Sequence, residues 1–262
     1  MKRFVVVLLS IGLLFASADA QRRKRSSRKK ARVTPACAVD IGSCALDGCS
    51  ANNTHDAKLN KLKNIRASTA APTDRSLAWM KGLDNPATYK PGDARDELTG
   101  MGEGEMVRLV GYLLVVKPEL GGESCNCYLK TPAETDNHLV LVTSTTVNKY
   151  KLPPNAKASD FKRVFGKREP ESVTVEFTPR VRADHPNFTR EFVEPIIHTT
   201  PQGALWVRVT GLLMFDSEHF RHNKLTRVNN WELHPVMRLE YCPNAKQCTL
   251  ASDDNWVDVD SQ

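Results

Sequence analysis

The chain has 262 residues, of which 40% are hydrophobic and 26% charged, with a formal net charge of +7 and seven cysteines. That is enough apolar material for a folded domain, and it excludes a collagen-like, coiled-coil or wholly disordered chain. The charge is unevenly placed. Of 37 basic and 30 acidic residues, 27 and 29 remain once the first 32 positions are set aside, so the body is slightly acidic and the high pI belongs to the N-terminus.

Residues 1–20 have a positive start (Lys2, Arg3), an apolar run from Phe4 to Phe15 and a small-x-small end at Ala18-Asp19-Ala20. This pattern predicts a secretory signal peptide cleaved near Ala20, and so a secreted or periplasmic protein. No later stretch has the roughly 18 apolar residues of a membrane span. QRRKRSSRKKAR, residues 21–32, carries eight Lys or Arg and no acid. Like charges this dense repel, so residues 21–36 read as a disordered basic linker that can touch an anionic polymer through counterion release.

Export makes disulfides the default state of the cysteines. Cys242 and Cys248 form a local C-x5-C staple, and Cys44 with Cys49 is a second short pairing. Cys125 and Cys127 are too close to pair with each other, so each is expected to seek a distant partner. An odd total leaves one thiol free or paired between chains.

Residues 37–102 read as an irregular, partly helical extension. Leu59, Leu62 and Ile65 have helical spacing within Asp56 to Ala67. Asp74 to Leu83 reads as a short helix capped by Asp74. From Glu103 the pattern turns to strands: EMVRLVGYLLVVKPEL, SCNCYLK, DNHLVLVTST, SVTVEFTPRV, ALWVRVTGLLMFD and NNWELHPVMRLEYC. In the last, Trp231, Leu233, Met237, Leu239 and Tyr241 share one face, and Pro235 predicts an edge or a bulge. Ala158 to Phe165 and the segment around Phe188, Phe192 and Ile196 interrupt the strands as short helices. Gly111 and Gly211 lie inside the two longest apolar strands, where a glycine is tolerated if the strand must bend or another backbone approaches. Such bends close small barrels. The predicted fold is mainly β: a small antiparallel OB-like β-barrel over 103–242 with short helical insertions, the irregular Cys-containing extension before it and a tail over 243–262.

The series GEGEMVRLVGYLL, DNHLVLV, VEFTPR, VRVTGLLMFDSEH and WELHPV resembles OB-fold-like domains of poorly characterised exported bacterial proteins. The resemblance covers residues 103–242 only. It implies a fold, and a barrel face able to bind oligonucleotides or oligosaccharides, rather than an activity.

Polar residues cluster at the ends of these strands. His138, Glu176, Asp216, His219 and His234 combine imidazole and carboxylate, a donor set that suits a divalent metal if the strands bring them to one rim. Each also has a structural explanation. Asp136 is ordinary turn chemistry, Asp216 can end a strand, Glu176 can pair with Arg180, and His234 can bond a neighbouring strand. Tyr112, Tyr128, Trp206 and Trp231, with Arg208 and Arg238, are the residues that would line a polymer-binding face; core packing is the alternative for each aromatic. No zincin, nucleophile-elbow or P-loop motif occurs. The sequence thus points to an exported, non-enzymatic binding module without a cofactor, its ligand an envelope polymer, an oligonucleotide or a partner protein. The alternative is a metal-dependent hydrolase of nuclease (phosphodiesterase) type.

Overall fold

The computed structural model describes residues 36–49, 57–66, 70–86, 88–90, 92–119, 122–218 and 226–262. The expected signal peptide, the basic run 21–32 and both His219 and His222 lie outside them.

Among the described residues, seven strands form one sheet: β1 (Thr73–Asp74), β2 (Met106–Pro118), β3 (Asn137–Val142), β4 (Val173–Phe177), β5 (Leu205–Phe215), β6 (Trp231–Tyr241) and β7 (Val257–Asp258). Five of them, in the order β2-β3-β4-β6-β5, close through a β2–β5 pairing into a barrel. β1 adds to β2 in parallel and β7 to β6 antiparallel. The barrel is mixed, not wholly antiparallel as the sequence suggested: β4 and β6 run parallel. The reason is parity. Strands of alternating direction cannot close a ring of odd number without one parallel pair.

The long strand β2 serves both sides of the wall. Its first part, Met106 to Leu113, pairs with β5, and its second, Tyr112 to Pro118, pairs with β3. A Cβ on Gly211 would lie 2.7 Å from the Pro235 carbonyl oxygen, so β5 needs a glycine where β6 crosses it. The β5–β6 register shifts on both sides of Gly211, beside Pro235, which is the bulge the proline predicted. The bulge also breaks the alternation: Val236 is fully buried and Met237 only partly. Gly111 is no register break. Its absent Cβ leaves room for Leu77, whose Cδ2 would be 3.0 Å away.

The barrel is filled by alternate residues of each strand, among them Leu109, Leu139, Leu141, Val173, Val175, Phe177, Val209, Leu213, Leu233 and Leu239, all fully buried. The helices are short: α1 (Ala57–Lys63), α2 (Leu77–Lys81), α3 (Asp96–Gly100), α4 (Ser144–Lys149), α5 (Ala158–Arg168), α6 (Pro179–Arg182) and α7 (Arg190–His198). The cap of α2 is Ser76, whose side chain accepts from Trp79 N; Asp74 instead pairs with Arg108 at 2.6 Å. In α7 the buried positions are Val193 and Ile197, one residue on from the expected Phe192 and Ile196.

SCNCYLK is not a strand. Ser124–Asn126 is a 3-10 turn, and Cys127 and Tyr128 follow it in the left-handed region, with φ of 53° and 57°. Two such residues in a row cost on the order of 1 kcal/mol each and persist only where surroundings hold them. Here the extension does so. Asn60 Nδ2 donates to Ser124 Oγ, Asn64 Nδ2 donates to the Cys125 carbonyl, and Cys44 is bonded to Cys127.

The disulfides are Cys37–Cys49, Cys44–Cys127 and Cys242–Cys248. The last is the predicted staple. Cys44–Cys49 is corrected: residues 37–49 lie over the 123–129 loop, with Cys49 N bonded to Ser124 O and Cys37 N to Cys127 O. Cys44 packs against Cys127 and Leu129 and bonds Cys127, while Cys49, beside the same cluster, bonds Cys37. Cys127 has its distant partner, and Cys125 is the free, buried thiol.

Candidate metal centre

The centre is built on the sheet face that points away from the barrel core. Successive strand residues face opposite sides, so Leu139, Val175 and Leu233 inside the barrel put His138, Glu176, Glu232 and His234 outside it. The register aligns them, with His138 opposite Glu176 in β3–β4 and Leu233 opposite Val175 in β4–β6. Water does not reach most of this face. The 122–136 loop and α1 cover it, which leaves Asp136, Glu232 and His234 fully buried and Glu176 nearly so.

Glu176 stands at the middle. Its Oε1 is 3.1 Å from His138 Nε2, and its Oε2 is 3.1 Å from His234 Nδ1. His234 Nδ1 also bonds Glu232 Oε1 at 3.2 Å. The other ring nitrogen, Nε2, makes no hydrogen bond and lies 3.8 Å from Asp136 Oδ2. Asp136 Oδ1, Thr135 Oγ1 and both amide atoms of Asn126 are likewise buried without a hydrogen-bond partner. Unsatisfied groups of this kind are uncommon in folded proteins and call for an explanation.

Around this centre stand two fixed cations. Arg227 bridges Asp216 and Glu232, at 2.7 Å to each. Lys63, from α1, pairs with Glu123 at 3.1 Å. Cys125 Sγ donates to Glu123 Oε2 at 3.1 Å and reaches toward Asp136 Oδ2 at 3.8 Å.

The protonation states follow from this packing. Burial favours neutral histidine, but the Glu176 carboxylate outweighs it, pushing His138 up to about 9 and His234 up to about 10. Burial would raise Glu176, yet the two imidazoles hold it well below the usual carboxylate range. Burial dominates at Asp136, which is raised to about 7 against the pull of His234. The Cys125 thiol is pushed up by burial and by the Glu123 and Asp136 carboxylates.

The structure thus gathers His138, Glu176 and His234 in direct contact. Asp216 stands behind them, joined to Glu232 through Arg227; His219 lies outside the described residues. Arg180 is not the partner of Glu176: its guanidinium donates to Asn64 Oδ1 and to the carbonyls of Cys44 and Ala45. The residues suggested for a polymer face are scattered. Trp231 is fully buried with Nε1 bonded to Asp84 O, Arg208 is buried against Glu240, and Tyr128 is buried. Tyr112 packs on Trp206 at 4.7 Å, both half-buried, and Arg238 is exposed beside Asp258. Sequence reasoning missed Lys63, Glu123, Cys125 and Arg227 and treated Asp136 as a turn former. Only Glu232, two positions before His234, carried a local signal.

One donor atom each from Asp136, Glu176 and His234 lies within 4.8 Å of the other two, and the same holds for Glu123, Cys125 and Asp136. A cleft of about 210 Å³ elsewhere, lined by Leu152, Phe161, Phe165 and Ile197, has no comparable convergence. The Arg168 guanidinium beside it is already spent on the carbonyls of Tyr150 and Gln202. No known protein family, curated protein or solved structure matches the chain.

Proposed function

We propose that this chain is an exported binding module on an OB-like barrel, and that its ligand is a divalent metal ion held by Asp136, Glu176 and His234, with His138 at the edge of the site. The observation that carries the reading is His234. Its Nδ1 is engaged by Glu232, while its sealed, unpartnered Nε2 faces the Asp136 carboxylate. Metal-binding histidines take this form, with the second nitrogen oriented by a carboxylate. Glu232 is itself held by Arg227, so the orienting shell is two layers deep.

The location supports it. In OB barrels the second and third strands and the loops joining strands one to two and four to five form the ligand site. Here those strands are β3 and β4, with His138 and Glu176. The loop from β2 to β3 brings Glu123, Cys125 and Asp136, and the loop from β5 to β6 brings Asp216 and Arg227. Charge supports it as well: Lys63 pairs with Glu123 and Arg227 with Asp216 and Glu232, which leaves Asp136 and Glu176 to the two imidazoles. Export is supported by the signal-like residues 1–20 and by three disulfides, which persist in oxidising compartments.

Holding an ion fits this site better than turning over a polymer. The side chains of Asp136, Glu176 and His234 are at most 3% exposed, and only His138, at 26%, opens to solvent. The test is metal analysis of the full chain after equilibration with Zn²⁺ or Mn²⁺ and gel filtration. The wild type retains stoichiometric metal and His138→Ala with His234→Ala loses it. A wild-type chain that folds and retains none overturns the reading. Metal-dependent cleavage of a phosphodiester substrate by the wild type, lost in the double variant, would instead assign hydrolysis.

A further inference from the structure

We propose that Cys125 is a thiolate ligand of this centre, which makes its ion one of the zinc class rather than Mg²⁺, Ca²⁺ or Mn²⁺. This rests on the metal reading above and adds to it a donor atom and a selectivity. Three observations support it.

The first is position. Asp136 Oδ2 stands 3.8 Å from His234 Nε2 and 3.8 Å from Cys125 Sγ. The triads Asp136–Glu176–His234 and Glu123–Cys125–Asp136 therefore share Asp136, which places the thiol beside the carboxylate–histidine triad. In a tetrahedral zinc site, bonds of about 2.3 Å to sulfur and about 2.0 Å to nitrogen or oxygen give sulfur–oxygen edges of about 3.5 Å and nitrogen–oxygen edges of about 3.3 Å. The sulfur–carboxylate distances of 3.1 and 3.8 Å straddle the first figure, and the 3.8 Å from His234 Nε2 to Asp136 Oδ2 is within about half an ångström of the second.

The second is the way the thiol is held. Cys125 lies in the Ser124–Asn126 turn, fixed by Asn60 and Asn64 of the extension and by the Cys44–Cys127 bond two residues on. A buried cysteine that serves only as a small apolar group needs apolar neighbours. This one instead faces two carboxylates, Glu123 Oε2 at 3.1 Å and Asp136 Oδ2 at 3.8 Å, in a polar setting that apolar packing does not require. The adjacent Asn126 amide and Asp136 Oδ1 are buried without hydrogen-bond partners, which points to a missing polar occupant at the same spot.

The third is chemistry. Thiolate is a soft donor that selects zinc-like ions, whereas carboxylates alone suit Mg²⁺, Ca²⁺ or Mn²⁺. As the metal–sulfur bond forms, the S–H bond breaks and its proton leaves to solvent; no electron is transferred.

The experiment uses Co²⁺ as a spectroscopic substitute for zinc, added to the metal-free full chain with its disulfides intact. Six of the seven cysteines are in disulfides, so a thiolate-to-cobalt charge-transfer band in the near ultraviolet can arise only from Cys125. The expected result is that band in the wild type, its removal by one equivalent of Zn²⁺, and its persistence against a large excess of Mg²⁺. Cys125→Ser retains Co²⁺ without the band and binds Zn²⁺ more weakly by at least the roughly 10–100-fold that loss of an outer partner costs. The wild-type spectrum decides the matter even if the variant does not fold. Bound Co²⁺ with no charge-transfer band overturns the thiolate ligand and leaves the carboxylate–histidine site standing. No bound Co²⁺ at all overturns both.

Discussion

Replacing Glu176 with glutamine tests the electrostatics of the centre with almost no change of shape. In the metal-free protein the carboxylate lies 3.1 Å from each of two imidazoles. It is the largest of the favourable influences that carry His138 from 6.5 to about 9 against burial, ahead of Glu123 and Glu119. A histidine whose folded value is raised contributes stability that is fully present below its unfolded value and is lost as pH rises through the folded one. A shift of this size is worth about 3 kcal/mol at about pH 6, roughly half of that at about pH 8 and little at about pH 9. The figure is an upper one for His138, whose side chain is 26% exposed and so partly screened. His234 adds a share of its own, because the same carboxylate helps to hold it at about 10. Urea unfolding with chelator present should therefore find Glu176→Gln less stable than wild type by about 3 kcal/mol at about pH 6, within the range expected for breaking a buried ion pair, with the His138 share largely gone by about pH 9 and the His234 share lost only as pH passes about 10. A deficit that stays flat or grows with pH would refute charged imidazoles around Glu176.

Arg227→Met leaves Asp216 and Glu232 buried without their shared cation and should cost about 3–5 kcal/mol in urea unfolding, together with much of the metal affinity. Replacing Cys44 and Cys127 together by alanine opens a loop whose ends are 83 residues apart. Chain entropy puts the loss at about 4.5 kcal/mol, and exchange protection should fall first in the 123–129 loop. Gly211→Ala should cost about 2–3 kcal/mol by thermal unfolding, because its Cβ meets a backbone oxygen at 2.7 Å. Gly111→Ala should cost less, since the tip of Leu77 can yield. Deletion of residues 21–32 should abolish salt-sensitive retention on heparin, because the rest of the chain is slightly acidic.

The separation between what was legible and what was not runs through particular residues. Of the six strand-like runs, five announced the barrel strands, because strand burial writes itself into local alternation. The sixth, SCNCYLK, alternates just as well and is a turn, since its shape is imposed by Asn60, Asn64 and Cys44 from more than fifty residues away. Cys242–Cys248 was legible because its loop is too short for much else; Cys44 was not, because its partner lies on a loop that packs over it only after folding.

The sequence alone determined which residue types were available for chemistry. It placed Glu232 and His234 on one face of one strand, a local consequence of the strand's period. Tertiary structure alone decided that β4 lies beside β6, which sets Glu176 against His234, and that α1 and the 122–136 loop close over that face. The reason is physical. Side-chain direction along a strand follows from its own backbone, whereas strand neighbours, and the burial that turns solvated carboxylates into a coupled cluster, depend on how the whole chain shares one core.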